Sequence, residues 1–158
     1  MKKIFNLKEI KQLNKITLGK TTVLAGGCFD LIHLGHLRFL QKAKKEGDFL
    51  IIALESDKFI RLKKKREPVH RQKDRAEILA ELKYVDAVIL LPFFRGNKKY
   101  FDLVRLIKPK VIAVTENDSK MKEKEKQAKI IGGKLKIVTN LLDHYSTSNI
   151  LKILNIHY

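Results

Sequence analysis

Five short strand-like stretches limit what this chain can fold into: the runs 22–25, 49–54, 87–91 and 111–114, and residues 135–138, which include Lys136. The run Phe49-Leu50-Ile51-Ile52-Ala53-Leu54 has no polar face, which suits a strand covered on both sides. Between the runs lie segments with helical spacing, at 37–43, 56–62, 72–83, 99–107 and 119–131, and a last one runs from Ser146 to Leu154. Strands that alternate with helices pair in parallel, because each crossover returns the chain to the same end of the sheet. The pattern therefore predicts an α/β fold, a five-stranded parallel sheet with helices on both faces. Ahead of the first strand, Leu7, Ile10 and Leu13 share one face of a short helix. Residues 1–20 then read as a helical extension, and 21–158 as the core of one domain. Within 72–83, Ile78, Leu79 and Leu82 form the expected buried side, and Gly47 reads as the cap that ends the helix after 37–43.

Composition narrows the partners. The hydrophobic fraction of 44% is ample for a core, and no apolar run nears the roughly 20 residues of a membrane span. Residues 1–7 lack the apolar centre of a secretory signal, and the one cysteine, Cys28, cannot form an intrachain disulfide. A cytoplasmic protein with no membrane partner is expected. Thirty-four Lys and Arg against 17 Asp and Glu give a net charge of +17, which attracts polyanions. Nucleic acid and phosphorylated small molecules both qualify. No helix-turn-helix, zinc-finger or RNA-recognition pattern is visible, and the lysines are scattered over every expected helix, so no dedicated nucleic-acid partner is expected.

Residues 26–36 read Gly-Gly-Cys-Phe-Asp-Leu-Ile-His-Leu-Gly-His, between the first strand and its helix. Glycines let a backbone approach a ligand, and a helix start offers unpaired N–H groups to an anion. His33 and His36, three apart, share that helix start. Three readings stand on these residues: a phosphate site, a divalent metal shared by two imidazoles, or an ordinary glycine turn with surface histidines. A structural zinc site of several thiolates is excluded by the single cysteine.

This stretch resembles the G-x-F-D-x-x-H-x-G-H signature of the HxGH nucleotidyltransferases, the cytidylyltransferase-like superfamily. Gly27, Phe29, Asp30, His33, Gly35 and His36 all match. The similarity runs from about Lys3 to the last helix. It is above all to the adenylyltransferase domain of ADP-heptose synthases, then to glycerol-3-phosphate cytidylyltransferases. The resemblance implies a Rossmann-like, doubly wound sheet of order 3-2-1-4-5. It implies transfer of an adenylyl group from an NTP, ATP over CTP, to a phosphorylated acceptor such as heptose 1-phosphate. Pyrophosphate leaves, and Mg²⁺ is held mainly by the nucleotide phosphates rather than by protein ligands. Relatives often pair, which by analogy implies a homodimer. Glycerol-3-phosphate cytidylyltransferase and FMN adenylyltransferase are the alternatives among enzymes. A nucleotide sensor or a nucleic-acid-binding protein is the alternative outside them.

Carried over position by position, the resemblance makes His33, His36 and Lys63 catalytic. Gly27, Cys28, Phe29, Asp30 and Gly35 become nucleotide contacts through the signature. Arg61-Leu62-Lys63 resembles the Arg-Leu-Lys of the heptose enzymes, where a lysine of the loop reaches the phosphates; Lys65 is second to Lys63. Arg75 matches an arginine near the phosphates, and Ser146, Thr147 and Ser148 match hydroxyls that hold the outer phosphates. Two departures stand out. Leu141 replaces an arginine of the cytidylyltransferases. Thr115-Glu116-Asn117-Asp118 replaces the Lys-Gly-Gly-Asp of the heptose enzymes, leaving only Asp118 as a match.

Overall fold

The computed structural model describes residues 2–139 and 146–154. Strand β1 (Ile4–Asn6), a 3-10 turn (Leu7–Glu9) and helix α1 (Ile10–Ile16) precede β2 (Thr22–Gly27) and α2 (Leu34–Lys44). After β3 (Phe49–Leu54) come α3 (Asp57–Phe59), a π turn (Ile60–Lys64) and α4 (Gln72–Glu81). The chain continues through β4 (Ala87–Leu90), α5 (Lys98–Ile107), β5 (Val111–Thr115), α6 (Met121–Ile130), β6 (Lys134–Thr139) and α7 (Thr147–Ile153).

The sheet is parallel throughout and has six strands in the order β1-β4-β3-β2-β5-β6, not five in the order 3-2-1-4-5. The added strand is β1, from the segment expected to be helical alone. It pairs with β4, Phe5 opposite Ile89, and the Lys3 carbonyl accepts from the Val88 N–H at 2.8 Å. Asn6 and Glu9 then form a capping box that turns the chain into α1. Phe5, Ile10 and Leu13 join the core, so residues 4–16 are packed into the sheet rather than appended to it. Leu141 and its departure lie outside the described residues.

Alternation along β3 explains its unbroken apolar run. Phe49, Ile51 and Ala53 pack toward α1, α5 and α6, while Leu50, Ile52 and Leu54 pack toward α2 and α4. Each of the Phe, Leu and Ile side chains among them is worth about 1.5–3 kcal/mol when fully buried. At the outer edge, β6 leaves Lys134, Lys136 and Ile137 exposed.

Two local expectations need correction. On α4 the buried residues are Arg75, Ala76, Leu79 and Ala80, whereas Ile78 is exposed. Gly47 is not a left-handed cap; a Cβ there would stand 2.4 Å from the Thr21 carbonyl oxygen, so close backbone approach is what requires glycine.

The strand order reverses at β2. Its pairing with β3 runs to Gly27 opposite Leu54, but its pairing with β5 stops at Leu24 opposite Ile112. Beyond that point β2 and β5 part, and a crevice opens at their carboxyl ends. Parallel α/β sheets bind ligands at such a reversal. None of the described helices is long and apolar enough to cross a membrane.

Candidate active site

The crevice holds a cavity of about 380 Å³. Its floor is Gly26, Gly27 and Cys28 of the turn after β2, facing Ala113, Val114 and Thr115 of β5. The turn is tightly built. Phe29 adopts φ 44°, and a Cβ on Gly27 would lie 2.8 Å from the Phe29 ring. Phe29 is buried, with its ring 5.0 Å from that of His36.

His33 is the N-cap of α2, and its Nδ1 accepts from the His36 N–H at a long 3.4 Å. An accepting Nδ1 places the proton of neutral His33 on Nε2. The two imidazoles stack, centroids 3.7 Å apart and planes 23° from parallel. Burial, followed by the neighbouring His33, pushes His36 down to about 3, and burial also lowers His33. Both rings are therefore neutral at pH 7, able to donate one N–H each without competing charges. The buried Nδ1 of His36 makes no well-formed hydrogen bond among the described residues.

Asp30, 1% exposed, lines the cavity but does not present a free carboxylate to it. Its carboxylate accepts from the N–H groups of Val69 at 2.9 Å and His70 at 3.1 Å and pairs with Arg66. It thereby clamps the basic segment against the signature. The cations of that segment that line the cavity are Lys64 and Arg66. Lys63 and Lys65 are exposed, and neither is among the lining residues. The reason is the π turn Ile60–Lys64, which spreads successive side chains differently from an α-helix, followed by Lys65 in the left-handed region at φ 53°.

Arg75 is wholly buried and lies behind the cavity wall. Its guanidinium donates to the carbonyls of Cys28 and His70 and to Asp57 at 2.8 Å. Cys28 lines the cavity, but burial above all pushes its thiol up to about 11. A thiol held protonated is neither nucleophile nor metal ligand at neutral pH.

The far wall is Ser146, Thr147 and Ser148, with Thr139 at the end of β6. Ser146 caps α7, its Oγ accepting from the Asn149 N–H at 3.1 Å. Asp118 also lines the cavity and pairs with Lys124 at 2.6 Å; Gly35 and Phe39 complete the α2 side. Of the replaced run 115–118, Thr115 and Asp118 line the cavity and Glu116 and Asn117 do not. Among the described residues there is no group of three or more His, Cys, Asp or Glu able to hold a metal. The donor set, two imidazoles, two cations and five hydroxyls, suits phosphate oxygens, on which a divalent ion would arrive.

Lys64, Arg66 and Thr139 were missed by sequence reasoning. For the cations the signal was the basic run itself, whose register only the π turn decides. Thr139 gave none.

Fold and site together define a parallel α/β protein with a crevice at its strand reversal lined by imidazoles, cations and hydroxyls. The chain belongs to the cytidylyltransferase-like family, whose model matches residues 24–153. It is 37% identical over 153 residues to the bifunctional protein HldE of Aliarcobacter butzleri, covering 93% of this chain and 30% of that one. To the FAD synthase of Thermococcus onnurineus it is 45% identical over 97 residues, covering 60% of this chain and 61% of the relative. The chain thus spans less than two thirds of either relative. Among solved structures, the lipopolysaccharide core biosynthesis protein of Thermoplasma volcanium matches with a TM-score of 0.63 at 29% identity, covering 78% of this chain and 98% of that one.

Proposed function

We propose that the chain is a nucleotidyltransferase that joins an adenylyl group from ATP to a phosphorylated small molecule, with heptose 1-phosphate as the leading acceptor. The observation that carries the reading is the stacked, neutral His33–His36 pair, facing one crevice with Lys64, Arg66 and the Ser146–Thr147–Ser148 hydroxyls.

In the proposed reaction an acceptor phosphate oxygen attacks the α-phosphorus in line. The new P–O bond forms as the bond to the β-phosphate bridging oxygen breaks, and pyrophosphate leaves with the electron pair. The attacking oxygen is already anionic, so no protein nucleophile or base is required. Rate enhancement then comes from positioning and from donors aimed at developing charge. His33 and His36 donate N–H groups to the transferring phosphate. Lys64 takes the phosphate-neutralising role that the family motif gave to Lys63. Ser146, Thr147 and Ser148 hold the leaving pyrophosphate. Asp30 and Arg75 position the turn and the basic segment without touching the nucleotide. Mg²⁺, when bound on the phosphates, supplies further charge neutralisation.

FMN adenylyl transfer is the second reading, supported by the similarity to an archaeal FAD synthase. Pyrophosphate release with Mg²⁺ tests both, crossing ATP, CTP, GTP and UTP with heptose 1-phosphate, glycerol 3-phosphate and FMN. Release with ATP and heptose 1-phosphate supports the first reading, and release with ATP and FMN the second. Release only with CTP and glycerol 3-phosphate replaces both with a cytidylyl transfer.

A further inference from the structure

A second cavity, of about 520 Å³, opens at the carboxyl ends of β1 and β4 and shares no lining residue with the crevice. The two strands pair in parallel, so the segments that follow them leave the sheet at the same end. Leu7, directly after β1, and residues 92–95, after β4, form two of its walls. The third is one stripe of α5, in which Lys99, Asp102, Leu103 and Leu106 recur at helical spacing.

The lining is apolar within and cationic at the mouth. Phe94 and Leu103 are buried and form the base, while Leu106, 57% exposed, carries the apolar lining out to solvent. A space of this size, mostly apolar and reachable from solvent, is what a small organic molecule occupies. The charged groups that line it are Arg95, Lys99 and Asp102. Asp102 is engaged by Lys98 at 3.3 Å. The Arg95 and Lys99 side chains are exposed and have neither an ion pair nor a hydrogen bond among the described residues. Lys58 adds to the positive field, its Nζ standing 5.6 Å from the centre of the Phe93 ring, another part of the wall.

We propose that this cavity is a second ligand site, for a small organic anion with an apolar body. The body fills the space against Phe94, Leu103 and Leu106, and the acidic group pairs with Arg95 and Lys99. Neither half of the lining suits a simpler occupant. A bare anion leaves the apolar surface in contact with water, and a neutral hydrocarbon gains nothing from the two cations. The cavity is separate from the crevice, so the inference does not depend on the reaction proposed there.

Anilinonaphthalene sulfonate, an aromatic anion whose fluorescence rises when it leaves water, is the probe. Titration of the wild type is expected to show one saturable site with a dissociation constant of about 10–100 µM. N-phenylnaphthylamine, the same body without the sulfonate, and inorganic sulfate, the charge without the body, are each expected to bind at least about tenfold more weakly. The double variant Arg95→Glu, Lys99→Glu is expected to lose about tenfold or more in affinity for the probe. Lys42→Glu, Lys45→Glu, the same change of net charge at exposed positions that line neither cavity, is expected to lose less than about twofold. Amide shifts of the isotope-labelled protein are expected to move most at Phe94, Lys99 and Leu103, and saturating ATP is expected to leave the probe bound. No saturable binding, displacement by ATP, equal losses in the two double variants, or equal affinity for the uncharged analogue overturns the inference. Pyrophosphate release is read in a separate assay, so each of those results leaves the transferase reading standing. Should circular dichroism show the Arg95→Glu, Lys99→Glu protein unfolded, Arg95→Gln and Lys99→Gln, made singly, decide.

Discussion

Replacing Asp30 with Asn tests whether the signature clamps the basic segment. The Asp30 carboxylate receives two backbone N–H groups, from Val69 at 2.9 Å and His70 at 3.1 Å, as well as the Arg66 guanidinium. Asn can satisfy the amides with its oxygen, but its NH₂ then meets another donor. Breaking a buried ion pair from one side costs about 3–5 kcal/mol. The Arg66 side chain is 13% exposed and water can partly solvate it, so the low end, about 3 kcal/mol, is the better expectation. For a chain of this size that lowers Tm by about 6–12 °C. The protein stays folded at 25 °C, since domains commonly hold about 5–15 kcal/mol. Thermal unfolding followed by circular dichroism reads the shift. Limited trypsin digestion reads the local effect, because Lys63, Lys64, Lys65 and Arg66 become cleavable once the segment is released. The double variant Asp30→Asn, Arg66→Gln should lose less than the sum of its parts by about 1 kcal/mol or more. A Tm within about 2 °C of wild type, with unchanged cleavage, would refute the clamp.

His36→Ala should keep the fold and lower turnover by about 10²–10³, the usual effect of removing one donor to developing charge; near-normal turnover in a folded variant rejects the role of the pair. Lys64→Ala should lower pyrophosphate release far more than Lys63→Ala under identical assay, and the reverse ranking would show that the lining cation is not the working one. Glu55, directly after β3, is a buried acid whose Oε1 accepts from the Tyr100 hydroxyl, and it links stability to pH: burial raises its folded value from 4.5 to about 7, so its contribution is full below 4.5 and is lost as pH rises through 7. That loss is roughly 3 kcal/mol by pH 8, and urea unfolding of Glu55→Gln should lack it. Equal pH slopes in the two proteins would count against it.

Much of the architecture could be read from the chain because β2 to β5 are apolar runs of strand length, and in them hydrophobicity reports burial directly. β1 escaped because its three residues bury only Phe5, and its place is set by main-chain pairing with β4. The stripe on α4 was misread for a related reason. Arg75 outranks Ile78 for burial only because two carbonyls and Asp57 satisfy it, and partners from other elements are invisible to a helical pattern. The site was legible where a residue's position follows from its place in the signature, as for His33, His36 and Gly27. It was not legible where local geometry shifts the register, as the π turn does for Lys63 and Lys64.

Arg75 has a consequence for how the crevice responds to its ligand. One guanidinium ties the carbonyl of Cys28, in the floor, to His70 and Asp57, on either side of the basic segment. Floor and flank are thus fixed relative to each other before any phosphate arrives. The ordering entropy of bringing them together is met during folding, not during binding. Any ligand of the crevice thus meets walls that are tied together through one buried guanidinium and cannot drift apart independently.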